Sequence, residues 1–94
     1  MHIAVVGLSH RTAPVEVREK LSIPEQTMEE SLQNLRNHEQ VLEASILSTC
    51  NRLEIYTLVR NPDLGIAAVR DFLSGHSGLE SRDLSPHLFT YHHD

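Results

Sequence analysis

The chain of 94 residues holds one cysteine and no tryptophan. A single thiol cannot build an internal disulfide framework, which fits a reducing compartment. It also leaves no zinc-ligand spacing: the seven histidines are scattered, and only His87, His92 and His93 group near the end. Aromatic residues make up 4% of the chain, so the core must come from Leu, Ile, Val and Ala. No apolar run approaches membrane-spanning length. The start, His2-Ile3-Ala4-Val5-Val6, carries neither a charged leader nor an Arg/Ser-rich transit segment, so no membrane association and a cytoplasmic location are expected. Basic charge is scarce too. A net charge of −5 argues against this segment wrapping nucleic acid by itself, and the slight grouping of His10, Arg11, Arg18 and Lys20 is too small for a footprint. No G-x-G-x-x-G follows the first apolar segment, so these residues encode no dinucleotide site. Repeats, low-complexity tracts and linker-like stretches are absent.

The residues present make one small domain. Its length leaves little room for a second, its stability should be marginal, and a missing partner domain would be felt. Hydrophobic content of 39% and charged content of 22% are ordinary for a globular chain. Met1–Leu8 reads as a strand and Ser9–Pro14 as a polar loop, with Val15–Leu21 predicted as one or two helical turns. Ser22-Ile23-Pro24-Glu25 has the form of a capping box, predicting a helix from there to about Asn37 with Met28, Leu32 and Leu35 on its buried stripe. Val41–Thr49 and Leu53–Arg60 read as strands joined by a tight hairpin. Asn61-Pro62-Asp63 starts a second helix with Ile66, Val69 and Leu73 inward, and Gly75 is placed to end it. Leu88–Tyr91 is the fourth strand. The order β-α-β-β-α-β predicts an α+β, ferredoxin-like fold: a four-stranded antiparallel sheet with two helices on one face. The ending Tyr91-His92-His93-Asp94 has no closing signal, so a cut piece is expected.

Chemistry concentrates at Ser48-Thr49-Cys50-Asn51-Arg52. Alternation puts Leu42, Ala44, Ile46, Ser48 and Cys50 on one strand face, so the thiol extends an apolar row. A free thiol titrates near roughly 8.5, and the thiolate is the nucleophile. Arg52 and backbone N–H groups left unpaired at the turn would favour that form. Thr49 and Asn51 can hydrogen-bond the sulfur or a carbonyl brought to it, and Arg52 offers a planar fork for a carboxylate. The competing reading is plain packing, because cysteine is among the most buried residue types. Asn51-Arg52 likewise reads as a turn followed by a surface charge.

Two stretches bear a family resemblance. Gly7-Leu8-Ser9-His10-Arg11-Thr12-Ala13-Pro14-Val15-Glu16-Val17-Arg18-Glu19 and Leu47-Ser48-Thr49-Cys50-Asn51-Arg52-Leu53-Glu54-Ile55-Tyr56 resemble the N-terminal catalytic domain of glutamyl-tRNA reductases. The tail Leu88–Asp94 resembles the segment before that family's next helix. The resemblance implies that residues 1–94 are the first part of the catalytic, glutamate-recognising domain, with an NADPH-binding domain and a dimerisation domain outside it. It implies NADPH-dependent reduction of glutamyl-tRNA to glutamate-1-semialdehyde, in the tetrapyrrole pathway to haem and chlorophyll. The implied partners are glutamyl-tRNA, a second copy in a homodimer, and the aminomutase to which the aldehyde would be channelled. The family's nucleophile falls on Cys50, and its glutamate-contacting positions fall on Thr49, Cys50, Asn51 and Arg52. Its further histidine lies beyond Asp94, and His92 and His93 do not stand in for it.

A second class of function stays open at this point. Ferredoxin-like domains serve as regulatory modules, and Cys50 or a histidine is then a ligand for haem or another small molecule. The two classes part on whether the Cys50 thiol is reachable and reactive.

Overall fold

Alternation along the strands decides which side of the sheet is covered. In the computed structural model, which describes residues 1–93, Ala4, Val6 and Leu8 of strand β1 (His2–Ser9) are buried. Leu53, Ile55, Thr57 and Val59 of β3 (Arg52–Val59) are buried beside them. The intervening residues face the other way, where Ile3 and Tyr56 are exposed. One face of the sheet therefore carries the core and the other is open, as period-2 patterning requires.

Strands β2 (Val41–Ser48) and β4 (Phe89–His93) complete an antiparallel sheet in the order β2-β3-β1-β4. This is the predicted ferredoxin-like arrangement, in which each helical crossover joins two strands that flank a third. The core face is covered by α2 (Met28–Arg36) and α3 (Pro62–Ser77), which contribute Leu35, Val69 and Leu73. Two short helices add to them. The predicted turns at α1 (Val15–Leu21) bury Leu21, while α4 (Ser81–Leu84), missed in the connection read as polar, buries Leu84.

Several boundaries differ from the sequence reading, each for a local reason. The capping box at Ser22 does not form. Ser22 instead ends α1 by donating its N–H to the Arg18 carbonyl, and the Ile23 N–H goes to Ser48 Oγ at 3.1 Å. Burial of Ile23 against the end of β2 outweighs a local cap, so the helix begins at Met28 after a 3-10 turn over Glu25–Thr27. Asn61 does cap α3 as expected, accepting the Leu64 N–H at 3.0 Å with Pro62 at the first position. Gly75, however, lies inside that helix. The terminator is Gly78, whose φ of 78° gives the left-handed turn and whose N–H returns to the Ser74 carbonyl. The fourth strand is shifted to Phe89–His93, and Asp94 lies outside the described residues.

Strand β2 carries a bulge between Val41 and Glu43. Val41, Ala44, Ile46 and Ser48 face the inward residues of β3, and Leu42 is the extra residue. The predicted row of Leu42 with Ala44 is corrected accordingly, since one inserted residue flips everything on one side of it.

Two glycines of α3 predict opposite outcomes. A Cβ at Gly65 would lie 2.5 Å from Val59 Cγ1, inside the contact between α3 and β3, whereas one at Gly75 would meet nothing within 4 Å. Gly65→Ala is expected to destabilise the fold by about 1–3 kcal/mol. Gly75→Ala is expected to stabilise it by about 0.5–1 kcal/mol by removing backbone freedom from a helix interior. Urea denaturation of both variants measures the difference, and a loss at Gly75 would contradict its place within the helix.

Candidate active site

The β2–β3 turn is built by a threonine. No non-glycine residue among those described has a positive φ, so the turn is not of the kind that hairpins favour with glycine or asparagine. Thr49 supplies the missing closure. Its N–H donates to the Arg52 carbonyl at 2.8 Å, and its Oγ1 accepts the N–H groups of Asn51 and Arg52, each at 3.2 Å. The hydroxyl thus does locally what a ladder bond would do in a regular hairpin.

Two other segments reach the same turn. Pairing of β1 with β3 sets Ser9 opposite Arg52, which carries the Ser9–Pro14 loop to the turn. The His10 N–H donates to the Asn51 carbonyl at 2.9 Å. The loop is closed on itself by the Ser9 N–H to Thr12 Oγ1 at 2.9 Å and the Ala13 N–H to the Ser9 carbonyl at 3.0 Å. From α1, Arg18 Nη1 donates to the Cys50 carbonyl at 3.1 Å. Arg18 falls in the first resembling stretch and in a small basic grouping, but nothing in the sequence tied it to Cys50, because 32 positions separate it from its acceptor. The signal lies only in the tertiary path of α1.

Cys50 is exposed. The strand ends at Ser48, so the thiol does not extend the inner row, and the packing reading of this cysteine is corrected. Thr49, Asn51 and Arg52 are exposed around it. Arg52 is the first residue of β3 and shares the open sheet face with Glu54 and Tyr56. Its guanidinium makes no hydrogen bond or ion pair among the described residues, so it is free for an incoming anion. Beside it the Tyr56 hydroxyl donates to Glu54 Oε1 at 2.8 Å. That bond is the main reason the Tyr56 phenol titrates above its ordinary value, with some burial and the Glu54 charge adding to it and Arg52 opposing.

A cleft lies elsewhere. A space of about 600 Å³ between α2 and α3 is bordered by Ser31, Ala68, Phe72 and His76, and none of the turn residues touches it. Among the described residues no three His, Cys, Asp or Glu side chains converge as a metal centre would need. No helix among them is long and apolar enough to cross a membrane.

The sequence matches the family model described as Glutamyl-tRNAGlu reductase, N-terminal domain, over residues 6–94. The chain belongs to the glutamyl-tRNA reductase family. Relatives named glutamyl-tRNA reductase are 88% identical in Synechococcus sp. (strain WH7803), 82% in Synechococcus sp. (strain CC9605) and 79% in Prochlorococcus marinus (strain MIT 9303), each over the whole of this chain. The chain spans 22% of the length of each of these relatives. In this glutamyl-tRNA reductase domain, the two motifs that carry the resemblance are the same two segments that meet at the Cys50 turn.

Two measurements follow from the geometry. Iodoacetamide should alkylate Cys50 in the folded domain within about threefold of its rate in denaturant, as for an accessible thiol. Slowing by orders of magnitude would return the sulfur to the core. For Tyr56, the folded chain holds the phenol proton more tightly than the unfolded chain. Its contribution to stability is therefore present below the ordinary value of 10.0 and is lost as pH rises through the raised one. Phenolate absorbance should show a midpoint above 10.0 that moves back toward it in Glu54→Ala.

Proposed function

We propose that this domain supplies the nucleophile for NADPH-dependent reduction of glutamyl-tRNA to glutamate-1-semialdehyde, the entry to tetrapyrrole synthesis. The observation that carries the reading is the exposure of Cys50 in a turn fixed from three sides. A packing cysteine has no use for such a turn, whereas a nucleophile needs both access and a held backbone.

In this reading the Cys50 thiolate attacks the carbonyl of the ester joining glutamate to the tRNA ribose. The new C–S bond forms, the ester C–O bond breaks, the ribose hydroxyl leaves after taking a proton, and the glutamyl group remains as a thioester on Cys50. Arg52 pairs with the substrate carboxylate through its free guanidinium. The Asn51 amide orients the acyl group. The Cys50 N–H, which donates to no acceptor among the described residues, is a donor for the oxygen on which charge develops. Thr49 shapes the turn, and its hydroxyl is already engaged with two backbone amides.

The described residues do not fit a dinucleotide. Gly7 ends no phosphate loop: a Cβ there would lie 2.7 Å from both the Leu53 carbonyl oxygen and Phe89 Cζ, so the glycine serves strand packing. NADPH supplies hydride chemistry when bound, and in this proposal its domain, with the dimerisation domain of a homodimer, lies in the remainder of the longer protein. Delivery of the aldehyde to the aminomutase that consumes it also belongs to that whole assembly.

In the full-length protein, Cys50→Ser is expected to lower reduction by roughly a thousandfold or more, as loss of a nucleophile does, and to abolish the glutamyl-thioester detectable by mass spectrometry. Reduction near the wild-type rate in that variant would remove the assignment. Arg52→Lys keeps the charge but not the fork, and should raise KM for glutamyl-tRNA by about tenfold. The isolated domain should show no binding in an NADPH titration.

A further inference from the structure

We propose that Arg18 is the positioning residue for the Cys50 thiol, an inference that rests on Cys50 being the nucleophile. Two peptide groups flank the turn after Cys50, and each is held at both ends. The peptide joining Cys50 to Asn51 has its carbonyl on Arg18 Nη1 at 3.1 Å and its N–H on Thr49 Oγ1 at 3.2 Å. The peptide joining Asn51 to Arg52 has its carbonyl on the His10 N–H at 2.9 Å and its N–H on the same Thr49 hydroxyl at 3.2 Å. Fixing the first of these planes fixes ψ of Cys50, and with it the direction in which the Cα–Cβ bond projects the sulfur. Of the four contacts, only the one from Arg18 comes from a charged donor, and only that one requires a side chain from another element.

The state of the guanidinium supports a dedicated role. Arg18 is half-buried, its Nε is shut off from solvent without a hydrogen-bond partner, and no carboxylate among the described residues pairs with it. Removing a charged donor from water without an acceptor is costly, and an unsatisfied buried group calls for a compensating purpose. Here the compensation is a charge-assisted bond to the nucleophile's own carbonyl. A hydrocarbon of the same length would keep the apolar stem on α1 and leave that peptide held at its N–H end alone. The sulfur would stay exposed, yet it would sample orientations away from the ester carbonyl.

The test compares Arg18→Met, which keeps the stem and loses every donor, with Arg18→Lys, which keeps one charged donor. Both are made in the full-length protein and assayed with glutamyl-tRNA and NADPH. Arg18→Met is expected to lower kcat, and the single-turnover rate of thioester formation, by about ten- to a hundredfold, the effect of losing one charge-assisted hydrogen bond. KM should stay within about twofold, because no substrate contact is removed. Arg18→Lys should recover most of the rate. Unchanged kcat in Arg18→Met, a loss carried by KM, or a loss that lysine does not restore would each overturn the proposal. If Arg18→Met fails to fold, Arg18→Gln against Arg18→Lys provides the same comparison with a neutral donor. Cys50→Ser measured alongside separates the two claims. An active Cys50→Ser removes the nucleophile itself, whereas an inactive Cys50→Ser with a fully active Arg18→Met removes only the role of Arg18.

Discussion

The pairing of β1 with β3 over eight consecutive positions, from His2 opposite Val59 to Ser9 opposite Arg52, is the constraint on which the site depends. It places Ala4, Val6 and Leu8 on the core side together with Leu53, Ile55 and Val59. A slip of one residue would turn each of those side chains toward solvent, so burial locks the register. The same register brings the end of β1 to the start of β3. The loop after β1 and the helix after that loop are thereby delivered to the β2–β3 turn, although they lie some thirty to forty positions earlier in the chain.

Hydrophobic burial thus sets a polar geometry at one end of the sheet. The core side is closed by apolar residues from α2, α3 and the two short helices, while hydrogen bonds from Thr49, His10 and Arg18 hold the turn. Division of labour of this kind suits a reactive group: a packed scaffold gives precision and an exposed loop gives access. The cleft between α2 and α3 lies away from the turn.

Much of this was legible in the sequence because the fold obeys simple periodicities. The β-α-β-β-α-β order, the hairpin at Cys50 and the cap at Asn61 all rest on local patterns of burial or turn chemistry. One misreading is a tertiary demand overriding a local signal. Ser22 resembles a helix cap, but Ile23 must reach the core and its N–H is needed at Ser48. Gly75 resembles a terminator, but the helix runs on to Ser77 and Gly78 ends it with its left-handed φ. The bulge at Leu42 leaves no mark in an unbroken apolar run. At the site, Cys50 and its neighbours stood out as a motif. The grip of Arg18 on its carbonyl did not, since an arginine on a short helix carries no sign of where its guanidinium ends.

The exposure of the one cysteine carries a cost in an oxidising cell. Within these 94 residues there is no second thiol to resolve a sulfenic acid by forming an internal bridge. An oxidant meeting Cys50 would therefore drive it toward the irreversible sulfinic form, or toward a mixed disulfide with glutathione, which a reductant can undo.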